Sequence, residues 1–142
     1  SGHIIALGGF PLVWKSKLQT EISLSTLESE CSCLSYTMRT VLSMRAILLE
    51  TIQVLNLPLA LTSTVSSRVF EDNAGALLLG TQRCLNDRTK CFLVKWRHFC
   101  DAVKQGIVTV PKVDAKEQIA NCFTEGLSRE TFETIRKLVQ GW

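Results

Sequence analysis

Ser25-Thr26-Leu27-Glu28-Ser29-Glu30 opens the longest periodic stretch of the chain, in which Leu34, Met38, Val41, Leu48, Ile52 and Leu55 recur at helical spacing ahead of Pro58. Ser25 with Glu28 three residues later is a capping-box pattern: each side chain can satisfy a backbone N–H that the first helical turn leaves without a partner. Pro58 cannot continue the helix, because its ring removes an N–H and clashes with the preceding turn. The pattern predicts an amphipathic helix of about seven turns. Glu30 precedes Leu34 by four residues and Val41 by eleven, so it falls on the apolar stripe and not on the solvated face. Two explanations compete there. One is an acid favoured in the first turn by the helix dipole; the other is a carboxylate aimed inward for a metal or for proton transfer.

Upstream of that helix, residues 2 to 7 and 11 to 16 read as a hairpin pair around Gly8-Gly9, and Glu21-Ile22-Ser23-Leu24 reads as a third short strand. Their meander order predicts antiparallel pairing. Downstream, Val65 to Glu71 is β-prone, and Asp72 follows at its carboxyl end, where open α/β sheets place their ligands. Asn73 is placed to cap a short helix from Ala74 to Leu79. Asp72 has a plainer reading too, as a turn former beside that cap. Arg88 to Lys104 carries Phe92, Trp96, Phe99 and Val103 at helical spacing and stops at Gly106. Ile107 to Val113 alternates like a strand, Asp114 with Glu117 forms a second capping box before Ile119, Cys122 and Phe123, and Glu130 to Val139 closes the chain as an amphipathic helix. Strands and helices alternate in this way in α/β folds.

Composition bounds the rest. A chain of 142 residues with 46% apolar and 20% charged residues fits one domain, residues 1–142, with a real core, and excludes disorder. The net charge of +3 does not by itself diagnose a nucleic-acid binder. Lys15, Lys17, Arg88, Lys90, Lys95, Arg97 and Lys104 nevertheless fall in two basic stretches that permit a polyanionic partner. The apolar run Ile4 to Trp14 is broken by Gly8, Gly9 and Pro11, has no basic region ahead of it and is too short for a bilayer, so neither a signal peptide nor a membrane partner is expected. Six cysteines in such a chain are expected mostly as reduced thiols. Cys84, Cys91, His98 and Cys100 match no spacing of two close zinc-binding pairs.

Several segments together resemble the ribonuclease H region that ends copia-type retrotransposon polyproteins. They are Gly2 to Gly9, Trp14-Lys15-Ser16-Lys17-Leu18-Gln19, Leu24-Ser25-Thr26-Leu27-Glu28-Ser29-Glu30, Asp72-Asn73-Ala74-Gly75-Ala76-Leu77, Arg88-Thr89-Lys90, Val94-Lys95-Trp96-Arg97-His98-Phe99 and Gln118-Ile119-Ala120-Asn121-Cys122-Phe123-Thr124. The resemblance implies an α/β fold: a ribonuclease H-like mixed sheet flanked by helices. The family's first, central strand, with its catalytic aspartate, would lie ahead of Gly2 and is missing here. Two strand edges are then expected without partners. The implied activity is hydrolysis of the RNA strand of an RNA/DNA hybrid at two magnesium ions, with Glu30 and Asp72 as catalytic and metal-binding residues. Lys15, Lys17, Arg88, Lys90 and Lys95 would contact the nucleic acid. The implied partners are the hybrid and the upstream reverse transcriptase segment, and the implied location is the cytoplasm.

Departures from that pattern weaken the expected chemistry. Asn121 stands where the family has aspartate, and an amide lends a metal one oxygen without negative charge. Magnesium gives up its water reluctantly, so a site with half its carboxylates is expected to bind it poorly. Cys31, Cys91 and Glu125 replace an expected tyrosine, histidine and lysine. The leading expectation is a degenerate, inactive ribonuclease H-like domain. The alternatives are a nuclease completed by an upstream segment of a longer polyprotein, and a non-catalytic module that binds nucleic acid or protein.

Overall fold

Gly8 and Gly9 both take positive φ, +59° and +89°, the left-handed conformations that a two-residue hairpin turn needs and that a side chain would resist. In the computed structural model, which describes residues 1–20, 22–57, 65–81 and 100–140, they join β1 (Gly2–Leu7) to β2 (Phe10–Ser16). The strands are antiparallel, as expected, running from Gly2 opposite Ser16 to Leu7 opposite Phe10. The register shifts between Ile5 and Ala6, where Pro11 has no N–H to give the ladder.

The expected third strand does not form over residues 22–24. Ile22 and Leu24 are 90% and 91% exposed. The segment's polar groups are met locally instead, Leu24 N–H donating to Glu28 Oε2 of the helix start at 2.7 Å and Ser23 Oγ to Gln19 Oε1 at 3.0 Å. Glu21 lies outside the described residues.

Helix α1 (Thr26–Val54) begins as its sequence predicts: Ser25 is the N-cap and accepts the Glu28 N–H. Its end differs in mechanism. Asn56 adopts φ +47°, and the N–H groups of Asn56 and Leu57 bond back to the carbonyls of Gln53 and Ile52. That paired closure ends the helix before Pro58 is reached. Only the first half of α1 is well buried, through Cys31, Leu34 and Met38. Leu34 and Met38 form the core with Val69 and Val108, with Val41, Leu42, Val103, Ile107 and Val110 packed around them.

Strands β3 (Ser67–Arg68) and β4 (Val108–Thr109) pair in parallel. The ladder runs on past them through Val69 N–H to Thr109 O, Glu71 N–H to Pro111 O and Val113 N–H to Glu71 O. The regular strands are therefore shorter than Val65 to Glu71 and Ile107 to Val113. The Arg45 guanidinium holds the entry to β3 by donating to Val65 O and to Ser67 Oγ. Helix α2 (Ala74–Thr81) is capped as predicted, with Asn73 Oδ1 accepting the N–H groups of Gly75 and Ala76. Residues 100–104 are helical and end at Gly106, φ +69°, again as expected. The remainder of the expected Arg88 to Lys104 helix, with Phe92, Trp96 and Phe99, lies outside the described residues.

After β4 the expected capping box of Asp114 and Glu117 is not used. Asp114 accepts through its backbone carbonyl in a turn, and a 3-10 helix, Ile119–Phe123, follows with Gln118 as an N-cap that makes no side-chain cap. Helix α3 (Arg129–Gln140) closes the chain, capped by Ser128 and buried at Ile135.

The class is mixed α/β, but the described strands do not form one joined sheet. They form two two-stranded sheets, β1-β2 and β3-β4. Among the described residues no strand lies between the hairpin and the parallel pair to hydrogen-bond with both.

Candidate functional site

Both acids singled out by sequence lie beside helix starts. Glu30 sits in the first turns of α1, half-buried, and Asp72 follows β3 just ahead of α2. Leu27 of α1 packs on Gly75 of α2, where an added Cβ would lie 3.0 Å from Leu27 Cδ1, so the two helix starts approach closely. The two carboxylates feel each other. Burial raises the Glu30 pKa, and the negative charges of Asp72 and Glu125 raise it further.

Sequence reasoning missed a third acid in the same place. Glu71 is 6% exposed, with its Oε1 accepting the Asn73 N–H at 3.1 Å. Burial pushes its pKa up to about 7 against the opposing effect of that hydrogen bond, and the charges of Glu30 and Asp72 add to the rise. The signal was present in strand alternation: Val69 and Glu71 are two residues apart and share an inward face, while Phe70 between them is half-exposed.

The remaining donor expected at the site is turned elsewhere. From the 3-10 segment, Asn121 Nδ2 donates back to Ala115 O in the turn ahead of it, at 3.1 Å. That segment packs on β1 so closely that a Cβ on Gly2 would lie 2.7 Å from Phe123 Cβ. Among the described residues no group of three or more His, Cys, Asp or Glu side chains is arranged to hold a metal ion. The acids present therefore do not fit a complete metal centre.

On its other flank α1 meets the hairpin across a cavity of about 200 Å³, lined by Lys15, Lys17, His3, Tyr36 and Arg39 among others. Lys15 Nζ donates to Tyr36 Oη at 2.6 Å. Lys15 and Lys17 are thus gathered with Arg39 and Tyr36, which the sequence had not linked to them. Arg88, Lys90 and Lys95 lie outside the described residues. Cys31, Cys33 and Cys122 are free thiols, and burial with the nearby acids pushes Cys31 up to about 12, which makes it unreactive. Cys84, Cys91 and His98 lie outside the described residues. No described helix is long and apolar enough to cross a membrane.

Over nearly its whole length the chain is similar to retrovirus-related Pol polyproteins of plant transposons, a likeness that supports a transposon-derived protein. It is 26% identical over 135 residues, 95% of the chain and 9% of the relative, to the retrovirus-related Pol polyprotein from transposon RE1 of Arabidopsis thaliana. It is 27% identical over 139 residues, 98% of the chain and 10% of the relative, to the retrovirus-related Pol polyprotein from transposon TNT 1-94 of Nicotiana tabacum. The chain thus spans about a tenth of the length of the curated relatives it matches. No protein-family model and no solved structure matches it.

Proposed function

We propose that this chain is a ribonuclease H-like domain of retrotransposon origin that by itself does not cut RNA/DNA hybrids. The observation that carries the reading is the convergence of Glu30, Glu71 and Asp72 where α1, β3 and α2 meet, with an uncharged Asn121 in the closing segment. Acids brought together against burial and mutual repulsion point to a place built for a cation. Magnesium is the ion the family resemblance implies, and it binds weakly where Glu30 and Glu71 hold their protons more tightly than usual and the Asn121 amide is bonded to Ala115.

Glu125 supports the same reading. By resemblance a lysine belongs at that position, and a cation there would ease ionisation of Glu30. The glutamate raises its pKa instead. A negative charge in place of a positive one works against a carboxylate that must be ionised to hold a metal.

A second reading is favoured by one observation, the two unjoined sheets. In that reading a further strand of a longer polyprotein enters between β1 and β3 and brings the missing aspartate with it.

Magnesium-dependent cleavage of a labelled hybrid separates the two. No cleavage is expected from the wild type, from Asp72→Asn or from Asn121→Asp alone. Activity that appears when Asn121→Asp is joined to an upstream segment supports a lost metal site on a retained scaffold. Wild-type cleavage that vanishes in Asp72→Asn overturns the inactive reading.

A further inference from the structure

We propose that Tyr36 is the activated nucleophile of this chain, a modification site whose phenol oxygen takes an acyl group from a small anionic donor of the acyl phosphate class. Tyr36 is 40% exposed and lines the cavity of about 200 Å³ between the hairpin and α1, so a reagent can reach it. Lys15 Nζ donates to its Oη at 2.6 Å. An ammonium therefore stands on the atom where negative charge builds as the phenolic proton leaves. Lys17 and Arg39 stand in the same wall, and no lining residue is acidic, which favours an anionic donor over a neutral one.

The ring is fixed by what surrounds it. Lys15 Nζ lies 4.7 Å from the Tyr36 centroid, the Arg39 guanidinium carbon 5.6 Å from it, and the His3 ring is tilted against it with centroids 5.4 Å apart. The charged and titratable groups facing Tyr36 are thus His3 and Lys15 of the hairpin, Lys17 just beyond it and Arg39 of α1. The hydrogen bond and charge of Lys15, with the charges of Lys17 and Arg39, hold the phenol below the usual tyrosine range against the opposing effect of burial. The thiols that ordinarily outcompete a phenol are held back: burial pushes Cys31 up to about 12 and raises Cys33 and Cys122 as well. In the step itself the phenol oxygen bonds to the donor's carbonyl carbon as the bond from that carbon to the bridging oxygen breaks. Phosphate leaves with the electron pair and receives the phenolic proton through solvent. A tyrosine ester and inorganic phosphate result, with nothing oxidised or reduced.

The site needs no part of the ribonuclease H-like reading, and hybrid cleavage, present or absent, leaves it standing. The full chain is incubated with acetyl phosphate and, in parallel, with the neutral donor N-acetylimidazole. Acetyl groups are placed by mass spectrometry of its peptides before and after hydroxylamine, which strips acetyl from a phenol but not from a lysine amine. With acetyl phosphate, hydroxylamine-labile acetyl should appear at Tyr36 ahead of every lysine, be absent in Tyr36→Phe, and form about fivefold more slowly in Lys15→Gln, the weight of an exposed hydrogen bond. Acetyl on Lys15 or Lys17 with none on Tyr36 overturns the nucleophile. Arg39→Gln should slow acetyl phosphate more than N-acetylimidazole; equal slowing overturns the anionic donor. Tyr36 is the sole tyrosine, so tyrosinate absorbance reports its ionisation alone. Its midpoint should lie below that of N-acetyltyrosinamide and rise in Lys15→Gln, and a midpoint indifferent to that change overturns activation by Lys15.

Discussion

The first half of α1 serves two polar regions of opposite sign. On one flank Glu30 faces Glu71 and Asp72; on the other, Tyr36 and Arg39 face Lys15, Lys17 and His3. In the acidic region burial, with the neighbouring negative charges, makes Glu30 and Glu71 hold their protons more tightly than usual. The basic region opens to solvent through long side chains and bends the titration of its neighbours the other way. The difference teaches which of the two is costly to keep. Buried like charges strain the fold, whereas lysines and arginines at a cavity mouth cost little.

Met38 lies on the same half of α1 that carries both flanks, 1% exposed among Leu34, Val69 and Val108. Met38→Ala should lower stability by about 2–5 kcal/mol in denaturant unfolding. It should also disturb both regions together; loss at only one would break the picture of a shared support.

Glu71→Gln should separate them. The folded pKa of Glu71 is about 7 against an ordinary 4.5, so the folded state holds the proton more tightly than the unfolded chain does. Its contribution to stability is complete below about pH 4.5 and declines as pH rises through about 7. Gln keeps an oxygen for the Asn73 N–H and removes the charge, so above pH 7 the variant should be more stable by up to about 3 kcal/mol. Thermal unfolding across pH checks this, and the Tyr36 midpoint should not move.

Asn73→Ala should cost about 1 kcal/mol by leaving the first N–H groups of α2 without their cap, and should disturb the acidic flank alone. Arg129→Ala, which removes an exposed pair with Glu133 on α3, should change stability by less than about 0.5 kcal/mol and touch neither flank.

Features set by a local rule were legible in the sequence. Gly8-Gly9 demanded positive φ, Ser25 and Asn73 offered cap oxygens, and Gly106 marked a helix end; each stands where expected. Features that depend on who is nearby were not. Residues 22–24 have the composition of a strand but pair with no described strand. Asp114 has the spacing of a cap, yet the helix after it starts four residues too late to use it. Glu30 and Asp72 were visible as acids on inward positions, while Glu71 was hidden by reading the strand's end and not its alternation. The basic cavity joins β1, β2 and α1, and no single segment carries its pattern.

The most direct test of the proposal that the acidic cluster forms no working metal centre is calorimetric titration of the wild-type chain with magnesium. Weak binding that leaves no saturating heat, and that Asp72→Asn changes little, is the predicted result. Saturable binding of two ions per chain, lost in Asp72→Asn, would contradict it.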